Sequence, residues 1–210
     1  MTESLIREFG KDSFLLLGPT GMAALNIGGE TIHSALRLSS HSEEFKELTG
    51  ESAKKFCERL EKVKFLIIDE YSMIGCNMLN MINERCKQGK GNSMCFGNLI
   101  VYLLGDLRQL PPVMDPPLYE EHSKLKSLTA INGRNLLQTF QIVFHLTVCF
   151  RQEEEYFQKM LDNLSAGEMT ENDYMFTTRF YANVRERNHF DPEVHLFAKT
   201  SQVDHHNVKS

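Results

Sequence analysis

No stretch of this 210-residue chain approaches the ~20 consecutive apolar residues that a membrane-spanning helix needs. That excludes a helical membrane anchor within it. The first ten residues, MTESLIREFG, have no apolar core and carry acids, so they are no secretory signal. Nor do they have the arginine-rich, acid-poor look of a transit peptide. The five cysteines (Cys57, Cys76, Cys86, Cys95, Cys149) are odd in number, and no two stand at C-x-x-C spacing. That argues against a disulfide framework and against zinc or redox pairs, and reads as free thiols in a reducing compartment. The eight histidines are scattered, with only His205 and His206 adjacent, which makes no metal site without nearby cysteines. An excess of positive charge is missing too. The net charge is −5, whereas nucleic-acid binders usually show a basic face, so any contact with nucleic acid must come from a local groove.

What is present is an ordinary globular composition, 41% apolar and 24% charged. The length suits one core, or one domain with part of another. Four short, nearly continuous apolar runs alternate with amphipathic stretches. The runs are residues 13–17 (SFLLL), 64–68 (KFLII), 99–104 (LIVYLL) and 142–148 (IVFHLTV). Each is bounded by turn or polar residues, as buried parallel strands are, and the alternation predicts an α/β fold with a parallel sheet. Helices are predicted over 52–62, with Phe56, Leu60 and Val63 on one side, and over 72–87, with Met73, Met78, Leu79, Met81 and Ile82 inward. A third is predicted over 153–166, stopped by Gly167. The methionines at 73–81 read as core filling. Residues 39–50 read as a polar surface loop, and Pro111-Pro112 and Pro116-Pro117 bracket a rigid turn. Composition changes near Phe150–Arg151, where we place a boundary. A last apolar run at 194–198 leads into a helix over 201–208. The division is 1–150 for the first domain, 151–192 for a helical connector and 193–210 for the start of another domain.

In open α/β sheets ligands bind at the carboxyl ends of the strands. The second strand ends in Asp69-Glu70, where one acid can hold Mg²⁺ and its neighbour can orient or deprotonate water. The third ends in GDLRQLPPV (105–113), with Asp106 a further carboxylate and Gln109 suited to sensing a γ-phosphate or its attacking water. Leu110-Pro111-Pro112 stiffens that loop. The fourth leads to Arg151, placed to stabilise transition-state charge on a phosphate. The first ends in GPTGMAALNIGGETIHSAL (18–36). Its glycines Gly18, Gly21, Gly28 and Gly29 let a backbone approach closely. Thr20, Thr31 and Ser34 offer hydroxyls and His33 a ring, which suits a single-stranded nucleic-acid backbone.

These motifs together resemble those of PIF-type DNA helicases, the superfamily-one branch that moves 5′ to 3′. Gly18-Pro19-Thr20-Gly21-Met22-Ala23-Ala24, with Asn26-Ile27-Gly29 and Thr31-Ile32-His33-Ser34, resembles their DNA-contacting motifs. Leu66-Ile67-Ile68-Asp69-Glu70-Tyr71-Ser72-Met73 resembles their Walker B strand, with Tyr71 where Ile or Val is more usual. Residues 105–113 are similar to their third motif and Leu146-Thr147-Val148-Cys149-Phe150-Arg151-Gln152 to their fourth. Leu196-Phe197-Ala198, with Val203 and Asn207, resembles the opening of their second motor domain. The resemblance implies a RecA-like P-loop NTPase domain followed by the start of a second, ATP as substrate, Mg²⁺ as cofactor, and single-stranded DNA as partner. It implies Asp69, Glu70, Gln109 and Arg151 at the nucleotide, Pro19, Thr20, Gly21, Thr31, His33 and Ser34 on DNA, and action in the nucleus or a mitochondrion. The departure is at the front. No G-x-x-x-x-G-K-S/T loop occurs in the sequence. By register Thr2 takes the Mg²⁺-binding hydroxyl position, beside Asp69, and Met1 the lysine position. The expectation is a truncated helicase whose 210 residues alone do not hydrolyse ATP. The alternatives are a catalytically inactive nucleic-acid-binding module and another P-loop ATPase of AAA type, against which the GDLRQLPP loop argues.

Overall fold

Three of the four apolar runs become parallel strands, each with a ladder partner. The computed structural model describes residues 7–39, 45–151, 154–186 and 197–207, with backbone alone at 179–186 and 207. The strands are β1 (Phe14–Gly18), β2 (Glu30–Thr31), β3 (Phe65–Ile68) and β4 (Ile100–Leu103), in the order β2-β1-β3-β4, all parallel. Leu17 pairs with Ile68 and Ile68 with Leu103. The carboxyl ends of β1, β3 and β4 are therefore level and form one edge.

Helices follow the strands as the crossover rule for parallel pairs requires. They are α1 (Gly21–Asn26), α2 (Ile32–Ala35), α3 (Gly50–Leu60), α4 (Cys76–Lys90) and α5 (Leu128–Leu137). β3 is buried along its whole length. It is central in the sheet, and Phe56 and Leu60 of α3 and Leu79 and Ile82 of α4 share its core, all fully buried. Each such side chain contributes about 1.5–3 kcal/mol. Met81 is buried with them, while Met73 and Met78 are half-buried. Residues 45–49 are more than a surface loop. Phe45 and Leu48 pack on the core, and the guanidinium of Arg85 lies 4.8 Å from the Phe45 ring and donates to the Lys46 carbonyl at 2.8 Å. Burial of Arg85 lowers its pKa, and these contacts hold the charge in place.

The fourth expected strand does not form. Residues 142–148 have no regular structure, and Ile142, Val143, Phe144, Leu146 and Val148 are 67–93% exposed. The reason is a want of partners. A parallel strand needs a ladder neighbour and cover on both faces. Among the described residues β4 is paired only with β3, and the preceding α5 packs against α4 instead. The pattern of the run was that of a strand; its surroundings are not those of one.

Contacts divide the chain into one unit at Met1–Val148 and another at Cys149–Ser210. The second holds α6 (Glu155–Ala166), α7 (Glu171–Glu186) and α8 (Thr200–Asn207). Gly167 closes α6 in the left-handed conformation, φ 73°. Asp173 accepts hydrogen bonds from Asn163 Nδ2 at 2.9 Å, Thr170 N at 2.9 Å, Thr170 Oγ1 at 2.7 Å and the Tyr156 hydroxyl at 3.1 Å. These donors hold its pKa down at about 2, Asn163 most strongly. Of the run expected at 194–198, residues 194–196 lie outside the described residues, as does Val208 of the last helix. No helix among the described residues is long and apolar enough to cross a membrane.

Candidate nucleotide and nucleic-acid site

The level strand ends bring three of the expected residues together. Thr20 after β1, Glu70 after β3 and Gln109 after β4 line one open cleft of about 260 Å³. Asp69, half-buried, is held at the sheet edge by its backbone N–H, which donates to the Leu17 carbonyl at 2.9 Å. Glu70 adopts the left-handed conformation (φ 53°, ψ 43°), an uncommon state for a residue with a Cβ and one that collects at functional turns. The next residue ties the two loops together. Tyr71 N–H donates to the Leu104 carbonyl at 3.0 Å. A Cβ on Gly105 (φ +146°) would come within 3.0 Å of that same nitrogen, so only glycine fits. Burial first, and the Asp106 charge second, raise the Tyr71 pKa, so its phenol stays neutral. Asp106 folds the loop itself. It accepts from Arg108 N at 2.9 Å and pairs with the Arg108 guanidinium at 3.3 Å. Those bonds hold its pKa below the usual carboxylate range. Gln109 N–H then donates to the Asp106 carbonyl at 3.0 Å, closing the turn that presents its exposed amide.

The residues after β1 carry structural duties that the sequence did not reveal. Thr20 caps α1, accepting from Ala23 N at 3.2 Å, and Thr31 caps α2, accepting from Ser34 N at 3.3 Å. Each hydroxyl still has a proton to donate. Gly18 and Gly29 serve the protein's own packing. A Cβ on Gly18 would lie 2.5 Å from Ala24 N, and one on Gly29 2.4 Å from the Leu16 carbonyl oxygen. Pro19 and His33 are half-buried, and Gly21 and Ser34 exposed. Thr2 lies outside the described residues. Arg151 is exposed and belongs to the second unit, so it does not stand at the end of a strand of this sheet.

Two residues have roles that no local sequence pattern signals. Asp115 accepts from Asn77 N and Met78 N, both at 2.9 Å, and so caps α4 from 37 residues away. The signal was an acid beside a helix start, but across a separation no local pattern spans. Ser72 lines the cleft and is only 3% exposed, and among the described residues its hydroxyl has no hydrogen-bond partner. An unmet hydroxyl of this kind costs about 1–3 kcal/mol.

A family profile described as PIF1-like helicase matches residues 3–174. The chain belongs to the PIF1-like helicase family. It is 29% identical over 174 residues to the ATP-dependent DNA helicase RRM3 of Saccharomyces cerevisiae, an alignment covering 80% of this chain and 23% of that protein. To the ATP-dependent DNA helicase PIF1 of Candida albicans it is 33% identical over 153 residues, covering 70% of this chain and 17% of the relative. A Bdellovibrio bacteriovorus ATP-dependent DNA helicase Pif1 aligns over the whole chain at 28% identity, with 46% of its own length covered. Among solved structures, the Pif1 helicase of Candida albicans superposes with a TM-score of 0.71 at 28% identity, covering 99% of this chain and 45% of that one. Pif1 from Bacteroides in complex with ADP-AlF3 and single-stranded DNA gives 0.68 at 26%, covering 99% and 48%. This PIF1-like chain thus spans less than half the length of these relatives.

Proposed function

We propose that this chain supplies the phosphate-sensing and strand-gripping part of the first motor domain of an ATP-dependent, 5′-to-3′ DNA helicase, of the kind that serves DNA repair, recombination or telomere maintenance. Residues 1–150 form that domain, 151–192 a connector and 193–210 the opening of the second motor. The observation that carries the reading is the cleft shared by Thr20, Glu70 and Gln109. The cleft supports the reading because Thr20, which on this reading faces DNA, shares it with Glu70 and Gln109, which on this reading face phosphate. In the mechanism Glu70 takes a proton from the attacking water, Gln109 orients that water against the γ-phosphate, and Arg151 stabilises the charge of the transferring group. Asp69, with Thr2, would hold Mg²⁺, which screens the phosphates. The fit is chemical: a carboxylate and a threonine hydroxyl are hard oxygen donors, and Asp69 stands at the carboxyl edge of the sheet. No three His, Cys, Asp or Glu groups gather among the described residues, so the ion would take its remaining ligands from phosphate and water. Pro19, Thr20, Gly21, Thr31, His33 and Ser34 contact a single strand, and the residues act inside the nucleus or a mitochondrion.

The test is fluorescence anisotropy of purified chain with single- and double-stranded oligonucleotides over a salt series. Single strands bind better, Thr20→Ala and His33→Ala weaken them, and the salt slope is shallow because an acidic chain makes few phosphate contacts. Tighter duplex binding contradicts the strand track. Phosphate release with Mg-ATP and saturating single strand stays far below about one per second, since no glycine-rich loop or its lysine is present among these residues. Turnover at that rate, abolished in Glu70→Gln, would show that these residues hydrolyse ATP without the loop.

A further inference from the structure

The loop that presents Gln109 buries little of itself. Leu110, Val113 and Met114 are 72%, 82% and 92% exposed. It turns on Asp106 and Arg108, and it is fastened at both ends to the segment that follows Glu70. At one end Leu104 and Gly105 lie against the Tyr71 nitrogen. The other end crosses the start of α4. Cys76 N–H donates to the Pro116 carbonyl at 2.8 Å, and Gly75 and Pro117 form an antiparallel bridge. Asp115 adds a side chain to this end. Its Oδ1 accepts from Asn77 N and its Oδ2 from Met78 N, both in the first turn of α4 at 2.9 Å. Gly75 stands at the N-cap of that helix and offers no side chain to it. A Cβ at Gly75 would fall 2.0 Å from Asp115 Cγ. The carboxylate from the Gln109 loop therefore sits where the helix's own cap would be.

We infer that Asp115 is a positioning residue, which through the first turn of α4 fixes the Gln109 loop beside Glu70. The inference rests on the reading of Glu70 and Gln109 above and adds to it a residue that touches neither phosphate nor strand. A misplacement of about 1 Å at a reacting centre can cost about a hundredfold in rate. A loop with so little buried surface needs an anchor at each end to hold an amide that closely. A carboxylate on the N–H groups of a helix start is a firm anchor. Its bonds are charge-assisted, and the helix dipole favours an anion at that end. The segments 70–78 and 104–117 then form one closed frame, with Glu70 on one side and Gln109 on the other.

The chain contains no tryptophan, so a Leu110→Trp variant carries a single reporter, next to Gln109 and at an exposed position. Its fluorescence anisotropy decay is recorded with Asp115 intact, with Asp115→Ala and with Asp115→Asn, all well below the melting transition. Lys90→Met in the same background controls for lost stability. It removes three bonds to the carbonyls of Leu60, Glu61 and Val63 at the opposite end of α4. Asp115→Ala shifts the decay towards nanosecond loop motion. Asp115→Asn, which accepts through one oxygen only, shifts it less. Lys90→Met lowers the melting temperature and leaves the decay as it was. Should Asp115→Ala fail to fold, Asp115→Asn against Lys90→Met decides by the same signs. An unchanged decay in the Asp115 variants overturns the inference and leaves the proposed function standing. An equal shift in Lys90→Met makes Asp115 a stabilising cap and overturns it too. The decay reads the order of the loop whatever Gln109 acts on, so a failure of single strands to bind overturns the strand reading alone.

Discussion

Residues 65–68 and 142–148 are alike as sequence and opposite as structure. Both are aliphatic and aromatic runs that hold no Asp, Glu, Lys or Arg. The first, β3, is buried at every position, and the second is exposed at every position. β3 has a strand on each side and helices α3 and α4 in its core. Residues 142–148 have neither among the described residues. Strand propensity is therefore permission, and the ladder and the cover decide. Covered and uncovered positions should therefore differ in reactivity and in the cost of truncation, thiol reactivity most of all.

Thiol chemistry separates the two settings most widely. Cys86 of α4 is part of the core that covers β3, and burial pushes its pKa up to about 12. Cys76, at the start of the same helix, is pushed up to about 11, by burial first and then by Asp115. Cys149, directly after the uncovered run, is exposed, as is Cys95. Thiolate is the nucleophile, so iodoacetamide near pH 8 alkylates Cys95 and Cys149 at least about a thousandfold faster than Cys86. Mass spectrometry of timed samples reads this. Alkylation of Cys86 alongside Cys149 would show that the cover over β3 opens readily.

Truncation of the runs themselves gives the next contrast. Leu66→Ala removes a fully buried side chain in β3 and lowers unfolding free energy by about 2–5 kcal/mol. Leu146→Ala, at 93% exposure, changes it by no more than about 0.5 kcal/mol. Urea titration of each variant reads both values. A loss at Leu146 comparable to that at Leu66 would mean that 142–148 is covered in solution.

The same contrast explains what was legible in the sequence. β1, β3 and β4 lie within a residue or so of their expected bounds, because short apolar runs bounded by turn residues found partners. The helices over 50–60 and 155–166 follow from their apolar spacing and, for the second, from Gly167. β2 was not foreseen, since Glu30–Thr31 carries no apolar pattern at all. At the site, parallel strand ends were enough to bring Thr20, Glu70 and Gln109 to one cleft. Arg151 depended on the strand that did not form. Arg85, Asp115 and Ser72 owe their roles to partners, or to a missing partner, far away in the sequence. No periodicity encodes that.

Asp173 offers the smallest effect and a test within the second unit, where Met160 is the one buried hydrophobic side chain among the described residues. Helices α6 and α7 there are joined by the Phe176 ring against Tyr156 and Phe157 and by one carboxylate with four donors from Tyr156, Asn163 and Thr170. Those donors favour the charged form, so the folded pKa of about 2 lies below the unfolded value of about 3.9. A depressed carboxylate contributes stability that is fully present above the unfolded pKa and is lost as pH falls through the folded one. The melting-temperature gap between the natural chain and Asp173→Asn should therefore be constant at neutral pH down to about 4 and close as pH falls towards 2. Asparagine keeps the shape but accepts through one oxygen only, so part of the capping geometry survives and the gap is modest. A gap that persists unchanged at pH 2 would show that Asp173 acts through packing, and that the carboxylate's charge does not join these helices.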